Sequence, residues 1–272
     1  MDVQQITINK ITLKHPRFCT NALCFIPATQ NFNANLIALF THGYTSSKHD
    51  LITWATRLAD AGVATTIFDL PGHYLGSFNE INSLDDFKNH AHELFSIAYT
   101  ETLKSLTQFF LKLKQAHHQD KLTHNKVIIG GHSLGGLLAL NSYKDAAFAQ
   151  DLDITYLCVG LGLNPDVKVH LFDTDFYQKT LNIRKQLVSP NLDPKDVFPW
   201  IKNHKNKAEI KNKNIVLICG QDDVVVGKGG AAYLKTLLDP HNHVELIEPA
   251  RLPHHEPQLA ASAIFHYLKQ FL

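Results

Sequence analysis

The sequence predicts an α/β fold: a mostly parallel, eight-stranded sheet flanked by helices, with a helical cap inserted before the seventh strand. Three observations carry that prediction. Short, nearly continuous apolar runs alternate with segments of helical period, as expected when strands are buried on both faces by the helices that connect them. One run leads through a glycine-flanked serine into an apolar helical stretch, Lys126 to Leu140, KVIIGGHSLGGLLAL. About fifty residues separate the sixth and seventh runs, more than an ordinary crossover needs.

Residues 5–13 alternate apolar and polar positions and Ala22 to Ile26 form a second run, so the chain should open with an antiparallel pair. Leu36 to Phe40 is a buried third strand. Leu51, Trp54, Ala55 and Leu58 then recur at helical spacing, and Gly62 stops the helix. Val63 to Asp69 is a fourth strand, closed by the loop Leu70 to Gly76. From Leu84 to about Ala116 the pattern is helical, as one long helix or two abutting ones.

The serine stretch supplies the fifth strand and its helix. Ile154 to Leu161 is the sixth strand and Ile215 to Gly220 the seventh. Between them, four prolines and many charges accompany Phe172, Phe176, Tyr177, Phe198 and Trp200, aromatics suited to a pocket wall or to a small core of the cap's own. A helix over Ala231 to Leu238 and an eighth strand over His243 to Glu248 follow. A last helix, Leu259 to Leu272, should turn Leu259, Ala263, Phe265 and Leu268 inward. The expected division is a core of 1–163 and 214–272 and a cap of 164–213.

Composition narrows the function. The 272 residues suffice for one large core, and 26 Lys and Arg against 25 Asp and Glu leave a net charge of +1. That balance gives nucleic acid or an anionic membrane surface no purchase, so a small-molecule partner is expected. No apolar stretch reaches membrane-spanning length and MDVQQITINK lacks a leader's pattern, so no stable membrane insertion and a cytoplasmic address are expected. Cys158 and Cys219 sit in strand-like runs as buried free thiols. The 17 histidines show no zinc-protease spacing, and most should be solvated.

Ser133 is the chemical focus. It occupies the centre of Gly131-His132-Ser133-Leu134-Gly135, a G-x-S-x-G turn between strand and helix. Such a turn strains the serine backbone and presents Oγ outward at a helix N-terminus, where developing negative charge is stabilised. A serine hydroxyl needs a base and an orienting acid. Asp222 and Asp223 leave the C-terminal end of the seventh strand, and His254 and His255 follow the eighth.

With these residues in place the chain resembles the α/β-hydrolase superfamily along essentially its whole length. THGYTSSK is similar to that family's oxyanion block, DLPGHYLGS to its Asp-Pro-Gly-His loop, GGHSLGG to its nucleophile elbow and GQDDVVV to its G-x-x-D-x-x-V acid block. The resemblance implies the α/β-hydrolase fold, Ser133 as nucleophile, Asp223 as acid, and the backbone N–H groups of Tyr44 and Leu134 as oxyanion hole. For the base the reading is His254, with His255 the alternative. Counting back from the C-terminus favours His254, whereas the His-Glu dipeptide of monoacylglycerol-lipase-like relatives favours His255. Tyr74, standing where the family's loop usually has glycine, is expected to narrow the pocket near His73. The implied activity is a lipase-like serine esterase needing no cofactor and no metal. An acyltransferase or thioesterase with the same triad, or a non-catalytic binding protein of this fold, are the alternatives.

Overall fold

The computed structural model describes residues 5–28, 32–33, 35–76, 80–112, 126–145, 148, 152–163, 174–205 and 209–272. Its strands are β1 (Thr7–Lys14), β2 (Cys19–Ile26), β3 (Leu36–Thr41), β4 (Ala64–Phe68), β5 (Lys126–His132), β6 (Asp153–Val159), β7 (Asn214–Ile218) and β8 (His243–Ile247). They form one sheet in the order β1-β2-β4-β3-β5-β6-β7-β8. The β1–β2 and β2–β4 pairings are antiparallel and the remaining five are parallel. Burial explains the sequence patterns: β1, at the edge, alternates in and out, whereas every residue of β3 and β4 is buried.

The helices are α1 (Ile52–Asp60), α2 (Leu84–His90), α3 (Leu94–Lys112), α4 (Leu134–Asn141), α5 (Asp175–Arg184), α6 (Pro194–Lys205), α7 (Gly230–Leu238) and α8 (Ala261–Leu268). One apolar layer joins α3 and α4 to the sheet and also takes in Val197, Trp200 and Ile201 of α6. The opposite layer packs Trp54, Ala55 and Leu58 of α1 and Ile264 of α8 against β3 and β7. Trp54 meets the Phe40 ring edge-on at 5.5 Å, and its Nε1–H donates to the Pro257 carbonyl at 2.8 Å.

Some expectations change. The helical stretch from Leu84 divides at a 3-10 turn, Ala91–Glu93, and its expected end beyond residue 112 lies outside the described residues. The inward face of the last helix is Ala261, Ile264 and Leu268, with Ala260 before it. Leu259 is exposed, and Phe265 stays half-exposed under the Arg57 guanidinium. The apolar stripe is therefore set one residue off for those positions. Among the described residues, no helix is long and apolar enough to cross a membrane.

Chain order places a site before any side chain is considered. From β3 the chain moves outward to β4 on one side, then returns to β5 on the other. The crevice beyond the C-terminal ends of β3 and β5 is thus a topological switch point, where open α/β sheets bind ligands. Thr41 and Gly131 are register partners there, so the segments starting at His42 and Ser133 leave the sheet side by side.

Candidate active site

Ser133 has φ 50° and ψ −110°, a left-handed conformation costly for a residue with a Cβ. Its neighbours permit it. A Cβ on Gly131 or Gly135 would run into the Thr41 carbonyl oxygen, so only glycine lets α4 close against the end of β3. The Ser133 N–H donates to the Val159 carbonyl at 2.8 Å, fixing the elbow to β6.

His254 lies between Ser133 and an acid. Its Nε2 is 3.2 Å from Ser133 Oγ, and its Nδ1 is 2.9 Å from Asp223 Oδ2. A carboxylate only accepts, so Nδ1 carries the ring proton and Nε2 is free to take the serine's. Burial pushes the Asp223 carboxyl up, but the hydrogen bond and charge of His254 and the amides of Val226 and Val225 outweigh it, holding the group below its usual range. Those amides donate to Oδ1 at 2.9 and 3.0 Å. His255 is not in this line. It edges onto the His254 ring at 5.7 Å and borders the cavity.

Asp222, adjacent in sequence, does different work: its Oδ1 accepts from the Leu252 N–H at 2.7 Å and so fastens the loop that carries His254. The sequence signal was a bare Asp-Asp pair, and nothing in it assigned this role. His132 was missed as well. It is buried, its ring centroid is 4.7 Å from that of His254, and a Cβ on Gly43 would stand 2.7 Å from its Nδ1.

The His42-Gly43-Tyr44 segment approaches the elbow closely: the same Gly43 Cβ would lie 3.4 Å from Ser133 Cβ. Among the described residues the Tyr44 and Leu134 N–H groups donate to no acceptor. The loop is braced from behind. His42 Nδ1–H donates to the Gly43 carbonyl at 2.8 Å, and Nε2 accepts from the Leu70 N–H at 2.9 Å. Asp69 is fully buried, pairs with the Lys48 ammonium and accepts from the Lys48 N–H at 2.9 Å. Burial lowers the pKa of both His42 and His73 to about 3, so both rings are neutral.

A cavity of about 270 Å³ opens over Ser133. Tyr177 of α5 and Phe198 of α6 line it, whereas Trp200 is buried against Phe87, so the aromatics of this stretch serve both pocket and core. Phe172 and the side chain of Phe176 lie outside the described residues. Tyr74 does not narrow the pocket. Its hydroxyl donates to Glu80 at 2.5 Å, and Leu75 reaches the cavity in its place.

Among the described residues most histidines keep some solvent exposure, but His42, His73 and His132 are buried. Among the described residues, His15, His90 and Glu93 bring three metal-capable atoms within 4.8 Å of one another. The Arg17 N–H donates to His15 Nδ1, so Nε2 bears the proton and donates to Glu93 at 3.0 Å, an arrangement that suits a carboxylate clasp better than a metal. None of the four cysteines is in a disulfide, and burial raises the pKa of Cys24, Cys158 and Cys219.

This elbow, at the switch point of this sheet, defines a class of enzyme folds, and comparison assigns the chain to it. It belongs to the alpha/beta hydrolase family, whose model matches residues 38–204. No curated protein sequence matches it. Solved structures do. An esterase of Pyrococcus furiosus, Pf2001, is 17% identical with a TM-score of 0.62 over 97% of this chain and 91% of that one. The epoxide hydrolase VrEH1 of Vigna radiata is 14% identical, TM-score 0.57, over 97% and 98%. An E-2-(acetamidomethylene)succinate hydrolase is also 14% identical, TM-score 0.55, over 97% and 100%. At these identities the likeness speaks for fold alone.

Proposed function

We propose that the chain is a serine hydrolase that cleaves a carboxylic ester through an acyl-enzyme on Ser133. The observation that carries this reading is the single imidazole, His254, bonded on one side to Asp223 and standing 3.2 Å from the serine oxygen on the other. In the reaction, Ser133 Oγ bonds to the ester carbonyl carbon as its proton passes to His254 Nε2. The carbonyl oxygen becomes an oxyanion, held by the N–H groups of Tyr44 and Leu134. Collapse breaks the bond to the alkoxy group, which leaves as the alcohol with the proton from His254. Water repeats the sequence and frees the acid, while Asp223 stabilises the imidazolium at each stage.

Residues 164–213 act in this reading as the cap of a core formed by 1–163 and 214–272, with Tyr177 and Phe198 as apolar wall. Rapid mixing with p-nitrophenyl butyrate tests it. The expected result is a burst of nitrophenol stoichiometric with enzyme, a butyryl mass increment on the peptide containing Ser133, and a loss of at least about a thousandfold in turnover for Ser133→Ala. Butyryl transfer to another residue, or full turnover in that variant, would refute it.

A further inference from the structure

The cavity over Ser133 is not uniformly apolar. Its α5 wall is built by Tyr177, Leu181 and Arg184, four and three residues apart, so one helix face runs from apolar to cationic over about 10 Å. Leu187 and Phe198 extend the apolar part. Arg184 is half-buried and, among the described residues, makes no ion pair or hydrogen bond. A guanidinium at an apolar wall gives up hydration, and none of the described residues replaces it. Its planar fork fits a carboxylate with two parallel hydrogen bonds.

His254 and His255 line the same cavity as Arg184, and burial first, then the charges of His254 and Arg184, lower the pKa of His255. The cavity's other charged side chain, Asp50, is exposed and already accepts the Ser46 hydroxyl proton. With Asp50 exposed to solvent and taken up by Ser46, the one guanidinium in the lining is matched by a single carboxylate better than by the nearly double charge of a phosphate monoester.

We infer that the substrate is a monoanionic ester, an apolar chain ending in a carboxylate that Arg184 pairs while Ser133 attacks the ester carbonyl. This rests on the serine-hydrolase reading and adds the chemical class of its substrate. The product is then a dicarboxylic acid or a hydroxy acid, according to which side of the ester bears the charge.

The test compares p-nitrophenyl hexanoate with the mono-p-nitrophenyl ester of adipic acid, which adds the terminal carboxylate. The expected ratio of kcat/KM is roughly tenfold or more in favour of the adipate half-ester, carried by KM and eroded by added salt. Arg184→Met should bring the ratio to about one and Arg184→Lys should restore part of it. Because the ratio is internal to each preparation, partial misfolding of a variant cancels. A ratio at or below one in the native enzyme, or a preference that survives Arg184→Met, overturns the inference while hydrolysis of hexanoate leaves the serine chemistry standing. If neither ester turns over, calorimetry of Ser133→Ala with the half-ester decides. Arg184-dependent binding upholds the anion site and sinks the hydrolase reading, and no binding sinks both.

Discussion

Asp222 and Asp223 are neighbours with separate duties, and substitution should part them. Asp223→Asn keeps the shape but offers His254 an amide where it needs a carboxylate, so kcat should fall by about ten-thousandfold with little change in KM. Asp222→Ala leaves Ser133, His254 and Asp223 in place and strips the Leu252 N–H of its acceptor, a loss of about 1–3 kcal/mol. That variant should melt lower and lose roughly tenfold in kcat as the His254 loop loosens. Steady-state kinetics and thermal melting of both proteins check this, and equal kinetic losses would contradict the division of labour. At this scale the sequence was legible where a residue type and its spacing carry the chemistry, as for Ser133. It favoured His254 over His255 on weak grounds, because that choice depends on which ring a loop from β8 aims at an elbow 121 residues earlier.

The stretch between α5 and α6 is stitched to the loop after β4. The Ser189 N–H donates to the Gly72 carbonyl at 2.7 Å, the Tyr74 N–H donates to Leu187 at 2.8 Å, and His73 bridges Val188. Tyr44 adds a bond from the loop after β3, its hydroxyl donating to the Leu192 carbonyl at 2.5 Å. Tyr44→Phe therefore removes a tie of about 1 kcal/mol between the loop after β3 and the stretch between α5 and α6. Amide hydrogen exchange over residues 188–201 should quicken several-fold in that variant with the sheet unchanged, and unchanged exchange would show that the bond is idle. Tyr44 thus carries a side-chain contact as well as a backbone amide beside the elbow. Strands such as β3 and β5 were readable because burial on both faces leaves an unbroken apolar run. The ties between the α5–α6 stretch and the loops after β3 and β4 were not, since each joins segments distant in sequence through a backbone atom that any residue supplies.

Across the whole molecule, the switch point gathers segments from β3, β5, β7 and β8 around one serine, and neutral histidines are buried beneath them. His42 and His73 bind a proton near pH 6.5 when unfolded but only near pH 3 when folded. Between those values the unfolded chain holds more protons, so stability falls as pH drops through the window and is unaffected by these groups above it. From pH 7 to pH 5 the loss is about 2 kcal/mol for each ring. Urea midpoints at the two pH values should show it, and a flat profile would contradict the burial of these rings. The central claim, that this gathering activates Ser133, is tested most directly by a fluorophosphonate probe followed by peptide mapping. Native protein should take up one label per chain on Ser133, and acid-unfolded protein or Ser133→Ala none. Failure of the native protein to label, or undiminished labelling of Ser133→Ala, would contradict it.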